Sequence, residues 1–200
     1  MTSDPRINSL LDQANHLFLK KKFSEAISFY EEILHSEPDN ISALNNIGYS
    51  FSKSKNYEKA LSYYKKGLDL YPDDISLLIN TVSCYRKLED FPNALDYCNK
   101  ILEKIPGYNV VLYHKERILS LLAKFDESIQ CCDKILSDYP NNSDVLFDKA
   151  KNLANLEKTE ECLETLQHAV SVQTSLKIKA KNNKSFSYLQ NNLRFKEIID

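Results

Sequence analysis

Four prolines, spaced 34 residues apart, constrain the fold of this chain more than any other feature. They are Pro38, Pro72, Pro106 and Pro140, and each follows an apolar stretch. After each proline comes a pair of residues rich in Asp, Asn or Gly, which are the residue types that end one helix and cap the next. Because this punctuation recurs at a constant interval, the spacing predicts a repeat built from helices.

Other residue types recur with the same period. One column is leucine, a second holds mainly small residues and a third is aromatic. These columns are Leu10, Leu44, Leu78, Leu112 and Leu146; Ala26, Ala60, Ala94, Ser128 and Cys162; and Phe23, Tyr57, Phe91 and Phe125. Apolar residues also fall at i, i+3, i+4 and i+7 on both sides of a break at Ser54 to Asn56. Each period therefore predicts two amphipathic helices.

The repeat resembles the tetratricopeptide repeat over residues 7 to 174. The positions that carry the resemblance are Leu44, Gly48, Phe51, Ala60, Tyr64 and Pro72. The fourth copy departs from the pattern with Glu116 at a position where a small residue is usual, and the fifth with Thr159 and Thr174 in the aromatic and proline columns. The resemblance implies an all-α, right-handed α-α superhelical solenoid. Its repeats are expected at about 7–40, 41–74, 75–108, 109–142 and 143–174.

Both ends of the repeat region carry helix signals. Asp4 before Pro5 is typical of a helix start at the N-terminus of the chain. Residues 175–200 are predicted to form basic capping helices that cover the last hairpin. This segment has six Lys or Arg against two acidic residues, and its apolar residues have helical spacing. Those apolar residues are Phe186, Leu189, Phe195, Ile198 and Ile199.

Composition excludes several classes of function. A net charge of −2 does not favour nucleic-acid binding, which needs a clustered positive surface. No apolar run is long enough to cross a membrane and no signal peptide is evident, so we expect a cytoplasmic protein without membrane binding. Five cysteines without a CxxC pair are expected to be reduced. No catalytic set, metal site or cofactor motif is evident, so an enzyme is not expected.

The resemblance further implies that the first helix of each hairpin lines a concave groove. Polar residues recur on the outward face of these helices, and Asn46 and Asn80 are predicted to bond the backbone of an extended peptide. A cationic strip is predicted to favour an acidic segment or a C-terminal carboxylate, and it consists of Arg86, Lys87, His114, Arg117 and Lys151. The full predicted groove is Asn15, Asn46, Tyr49, Asn80, Arg86, Lys87, Tyr113, His114, Arg117, Phe147 and Lys151, with Tyr113 and Phe147 as apolar anchors.

Two other interpretations remain open from the sequence. The polar face is also consistent with a solvated helix surface, in which Lys151 pairs with Asp148. The favoured function is a monomeric scaffold or adaptor that binds an unidentified protein or peptide. The alternative is an assembly protein that self-associates, or is tethered, through its convex face or basic C-terminal tail. The clamp by which some relatives hold acidic chaperone tails is not predicted, because Leu11, Ser76 and Asn80 replace its basic members.

Overall fold

The structure, a computed structural model, describes residues 4–200, and all regular secondary structure in this range is helical. Consecutive helices form hairpins, which confirms the predicted all-α fold. The repeat helices are α1 Pro5–Leu19, α2 Phe23–Ser36, α3 Ile41–Lys53, α4 Tyr57–Leu70, α5 Ile75–Lys87, α6 Phe91–Lys104, α7 Asn109–Leu121, α8 Phe125–Asp138, α9 Ser143–Asn155 and α10 Thr159–Val172. The capping segment contains α11 Leu176–Lys181, a 3₁₀ helix Lys184–Leu189 and α12 Leu193–Ile199.

Polar side chains cap most of the first helices, as the sequence predicts. The Asp4 carboxylate accepts a hydrogen bond of 2.9 Å from the Arg6 amide at the start of α1. Asn40, Asp74 and Asn142 cap α3, α5 and α9 in the same way. Tyr108 precedes α7 without a side-chain cap. The residues after each proline thus begin the next helix, and three of the four satisfy an otherwise unpaired amide there.

The turn between the two helices of each hairpin holds one residue in the left-handed backbone region. The five residues are Lys21, Lys55, Glu89, Ala123 and Glu157, with φ between 56° and 63°. They recur with the 34-residue period although none is glycine. This region is sterically unfavourable for residues other than glycine. We infer that packing of the two helices, and not the identity of the turn residue, imposes the turn conformation.

The chain divides into two compact units, the N-terminal unit ending at Ile101 and the C-terminal unit beginning at Leu102. In the N-terminal unit, residues of α1, α2 and α3 form a core around the buried Tyr30 and Ile33. The leucine and small-residue columns predicted from the sequence are buried in both units. The periodic positions therefore supply the cores of the hairpins.

Gly48 permits a close approach between α3 and α4. A Cβ atom at this position would lie 2.5 Å from Cε1 of Tyr64, whose ring is fully buried. Replacing Gly48 with alanine is therefore expected to lower the free energy of unfolding by about 1–2 kcal/mol, because overpacking outweighs the better helix propensity of alanine. Urea denaturation followed by circular dichroism measures this change.

Removing the obstructing ring provides the control for this prediction. In a Tyr64→Leu background, Gly48→Ala should cost clearly less, since the two side chains no longer compete for space. An equal cost in both backgrounds would show that the contact with Tyr64 is not the cause.

The capping segment packs against the last hairpin of the C-terminal unit. The 3₁₀ helix contacts α9, and α11 and α12 both contact α10. Phe186, Leu189, Phe195, Ile198 and Ile199, predicted as the apolar face of this segment, are all buried in the same core as α9 and α10. The segment thus covers apolar surface of the last hairpin.

None of the helices between residues 4 and 200 has the length and apolar character needed to span a membrane.

Candidate functional site

A pocket of about 380 Å³ lies between α3 and α5 of the N-terminal unit, next to the end of α1. Three predicted groove residues, Asn46, Tyr49 and Asn80, line it together. The lining is completed by Phe18, Asn45, Ser76 and Ile79. No formally charged side chain is among these seven residues, so the pocket offers amides, rings and the hydroxyls of Tyr49 and Ser76.

Hydrogen bonds fix the amides of this pocket in place. The Asn46 amide nitrogen donates to the Tyr30 hydroxyl at 3.1 Å, and that hydroxyl donates to Asn15 at 2.7 Å. The Asn80 amide nitrogen donates to the side-chain oxygen of Asn45 at 2.9 Å. Burial raises the pKa of Tyr30, so its hydroxyl remains a donor at neutral pH. The side-chain oxygens of Asn46 and Asn80 have no partner in the part of the chain that the structure describes, and they remain available as acceptors.

The rings of Phe18 and Tyr49 form the apolar side of the pocket. Their centroids are 5.2 Å apart, and the Lys53 ammonium lies 4.8 Å from the centroid of the Tyr49 ring. Arg86 and Lys87, also predicted for the groove, lie in the last turn of α5 and do not line this pocket.

A second pocket, of about 490 Å³, lies in the C-terminal unit between α7, the end of α8 and the start of α9. Tyr113 and His114, both predicted for the groove, line it with Val110, Tyr139, Asn142 and Asp144. The first pocket is lined by first helices of the hairpins, whereas the second is also lined by the end of α8, a second helix.

The predicted cations of the C-terminal unit are paired with an acidic residue of the same chain. The Lys151 ammonium lies 2.6 Å from one Asp148 oxygen, and the Arg117 guanidinium lies 3.6 Å from the other. Arg117 also stacks on the Tyr113 ring, 4.1 Å from its centroid, and donates to the Tyr113 hydroxyl. The pairing of Lys151 with Asp148 is the interpretation that the sequence left open as the alternative to ligand binding.

Phe147, predicted as an apolar anchor, belongs to the core of the C-terminal unit. Its side chain is only 7% exposed and its ring centroid is 5.8 Å from that of Phe186 in the capping segment. A ring this deeply covered presents little surface to a ligand, so Phe147 is better described as a core residue.

A buried polar cluster surrounds Glu116, the residue that replaces a small side chain in the fourth repeat. Ser128 donates to one oxygen of the Glu116 carboxyl group at 3.2 Å and Asn152 donates to the same oxygen at 3.4 Å. The other oxygen is buried without a hydrogen-bond partner. Burial, followed by the nearby charge of Asp148, raises the pKa of Glu116 to about 7. Other titratable groups around it are Lys151, Tyr113, Cys131 and Cys132.

The five cysteines, all within residues 4–200, are buried and form no disulfide bond. Burial raises the pKa of the Cys162 thiol to about 12 and also raises the pKa of Cys84, Cys131 and Cys132. Since the thiolate is the nucleophile, these thiols are poorly reactive at neutral pH. Within residues 4–200, no group of three or more His, Cys, Asp or Glu side chains is arranged to hold a metal ion.

Several residues that line the two pockets were not predicted from the sequence. Asn45 shares a repeat column with Tyr113 and Phe147, but it was not recognised as the partner of Asn80. Tyr139 and Asp144 lie at the end of α8 and the start of α9, outside the helix faces that the periodicity identifies. Their contribution depends on how the two helices meet, which the repeat pattern does not describe.

Comparison with known sequences identifies one repeat in this chain. The signature of the family described as tetratricopeptide repeat matches residues 41–74, the second repeat predicted above. This chain contains a tetratricopeptide repeat. Proteins that contain this repeat are in general non-enzymatic interaction modules, which use surfaces formed by stacked hairpins to bind other proteins. No curated protein matches this chain significantly.

Solved structures of tetratricopeptide repeat proteins share this fold. YrrB, described as a TPR protein with an unusual peptide-binding site, is 21% identical with a TM-score of 0.74, covering 87% of this chain and 91% of YrrB. A tetratricopeptide repeat protein from Parabacteroides merdae is 19% identical with a TM-score of 0.84, covering 96% and 77%. MamA from Desulfovibrio magneticus is 13% identical with a TM-score of 0.81, covering 86% and 97%. At these identities, the similarity establishes the fold.

Proposed function

We propose that this protein is an interaction scaffold whose N-terminal unit binds an extended segment of another protein. The observation that carries the proposal is the pocket between α3 and α5, where the fixed amides of Asn46 and Asn80 keep their side-chain oxygens free. An extended peptide offers backbone N–H groups, and these are the donors that such oxygens accept.

Preorganisation supports this role for the asparagines. Hydrogen bonds to Tyr30 and Asn45 already restrict the two side chains, so less conformational entropy is lost when a peptide binds. The rings of Phe18 and Tyr49 supply apolar surface beside the amides, which would cover a side chain of the bound segment.

Charge does not select the partner at this pocket. Its lining carries no formal charge, and the cations predicted to attract an acidic partner either pair with Asp148 or lie outside the pocket. We therefore expect peptide binding at the N-terminal unit to depend only weakly on salt concentration, because counterion screening acts on charged contacts.

The experiment is a selection of peptides from a random displayed library by the purified chain, followed by affinity measurement for the selected sequences. The double variant Asn46→Ala, Asn80→Ala should lose about tenfold or more in affinity, since each asparagine supplies roughly one hydrogen bond. The matched control is Asn191→Ala, an exposed asparagine of the C-terminal unit that should bind like the unchanged chain.

Stability must be compared in the same experiment. Asn46→Ala removes one bond to Tyr30, which retains its bond to Asn15, so a loss of about 1 kcal/mol is expected. Selected peptides that bind the folded double variant with unchanged affinity would place binding elsewhere on the chain.

The assembly role, the alternative predicted from the sequence, would be favoured by an uncovered last hairpin. Instead, the capping segment packs on α9 and α10. We therefore propose the scaffold role alone and expect a monomer, which light scattering after size exclusion would test.

A further inference from the structure

The pocket of the C-terminal unit differs from that of the N-terminal unit in its charge. Asp144 lines it, and the Asp144 carboxylate forms no ion pair or hydrogen bond with any residue between 4 and 200. Asp138 lies beside Tyr139 in an adjoining depression and accepts a bond of 3.1 Å from Asn109. Among the residues that line the pocket itself, the one basic side chain is His114.

Aromatic and apolar surface accompanies this negative charge. The Tyr139 side chain is 57% exposed, and the described part of the chain provides no ring or cation that stacks on it. Val110 is also exposed at the pocket wall. Tyr113 also lines the pocket, and its ring already stacks against Arg117.

The nearby cations do not neutralise the pocket. Arg117 and Lys151 both pair with Asp148, which does not line it. A ligand that carries a positive charge would therefore meet an unpaired carboxylate at Asp144 and an open ring face at Tyr139. Aromatic rings attract cations, and an exposed carboxylate adds a modest ion pair.

We propose that this pocket binds a basic side chain of a partner peptide, with arginine preferred over lysine. A planar guanidinium stacks on a tyrosine ring while its N–H groups reach a carboxylate, whereas a lysine ammonium presents a more strongly hydrated point charge. The proposal rests on the proposed function only in that the occupant belongs to a peptide, because the two pockets lie in different units and are tested separately.

The test uses acetylated, amidated alanine pentapeptides with a central arginine, lysine, glutamate or norleucine. Backbone amide chemical shifts of the full chain are followed by NMR. The arginine peptide should shift amides around Tyr139 and Asp144 with a dissociation constant on the order of 1 mM, as one shallow contact allows. Lysine should bind more weakly, and neither glutamate nor norleucine should bind there.

Two variants at exposed positions test whether Asp144 and Tyr139 bind the arginine side chain. Asp144→Asn and Tyr139→Ala should each weaken arginine-peptide binding about threefold, and about tenfold together. Asp12→Asn makes the same charge change at an exposed site of the N-terminal unit and should leave binding unchanged. The double variant Asn46→Ala, Asn80→Ala should also leave it unchanged, so failure of the proposed peptide site and failure of this pocket are distinguishable.

Equal shifts with the norleucine peptide would show that the pocket recognises apolar surface and not charge. Absence of any shift with the arginine peptide at about 10 mM, roughly tenfold above the expected dissociation constant, would overturn the proposal.

Discussion

Replacing Phe186 with alanine is expected to lower the free energy of unfolding by about 3–5 kcal/mol. The Phe186 side chain is fully buried, and its ring centroid is 5.8 Å from those of both Phe147 and Phe195. Removing it would leave a cavity where the capping segment meets α9. Urea denaturation of the full chain measures the change, and amide hydrogen exchange should show faster opening of α9 and α10.

Leu193→Ala provides the matched control, because Leu193 lies in the same segment but is 76% exposed. It should change the free energy of unfolding by less than about 0.5 kcal/mol. The same reasoning predicts that a chain ending at Thr174 loses stability. If Phe186→Ala were no less stable than Leu193→Ala, or if hydrogen exchange of α10 were unchanged, the segment would not stabilise the last hairpin.

Replacing Glu116 with glutamine is expected to stabilise the protein at pH 8 by up to about 3 kcal/mol while changing little near pH 4. Burial raises the pKa of Glu116 from 4.5 to about 7, so the folded protein favours the protonated carboxyl group. The contribution of this protonated carboxyl group to the free energy of unfolding is fully present below about pH 4.5, and it is lost as the pH rises to about 7. Glutamine remains neutral throughout and retains the bonds donated by Ser128 and Asn152.

Denaturant unfolding between about pH 4 and pH 8 measures the difference between the unchanged chain and the variant. That difference should increase between the two pKa values and remain constant above them. Glu164→Gln, an exposed residue of α10, should show no such increase. A constant difference between Glu116→Gln and the unchanged chain across the whole range would indicate that Glu116 titrates normally.

Much of the fold was predictable from sequence, for a physical reason. Each hairpin is formed by residues close in the chain, so proline spacing, caps such as Asn40 and Asp74, and the leucine columns identify the hairpins locally. Even the capping segment was predictable from Phe186 and Phe195, because apolar residues at helical spacing must be covered.

The site was less predictable, because it depends on contacts between repeats. The sequence marked Glu116 as unusual but did not identify Ser128 and Asn152, 12 and 36 residues further along the chain, as its partners. For Lys151 it offered two interpretations, a cation that binds an acidic ligand or a partner of Asp148, and Lys151 pairs with Asp148. That Arg117 lies near the same carboxylate depends on packing between repeats, which a periodic pattern does not specify.

The left-handed residues in the five hairpin turns have a consequence for how these repeats tolerate mutation. A non-glycine residue in this conformation is disfavoured by roughly 1 kcal/mol, so each hairpin contains a small amount of strain that its helix packing must exceed. The turn itself does not require glycine, since Lys55, Ala123 and Glu157 occupy equivalent positions. A substitution that loosens the core of a hairpin therefore acts on a net stability that the strained turn has already lowered.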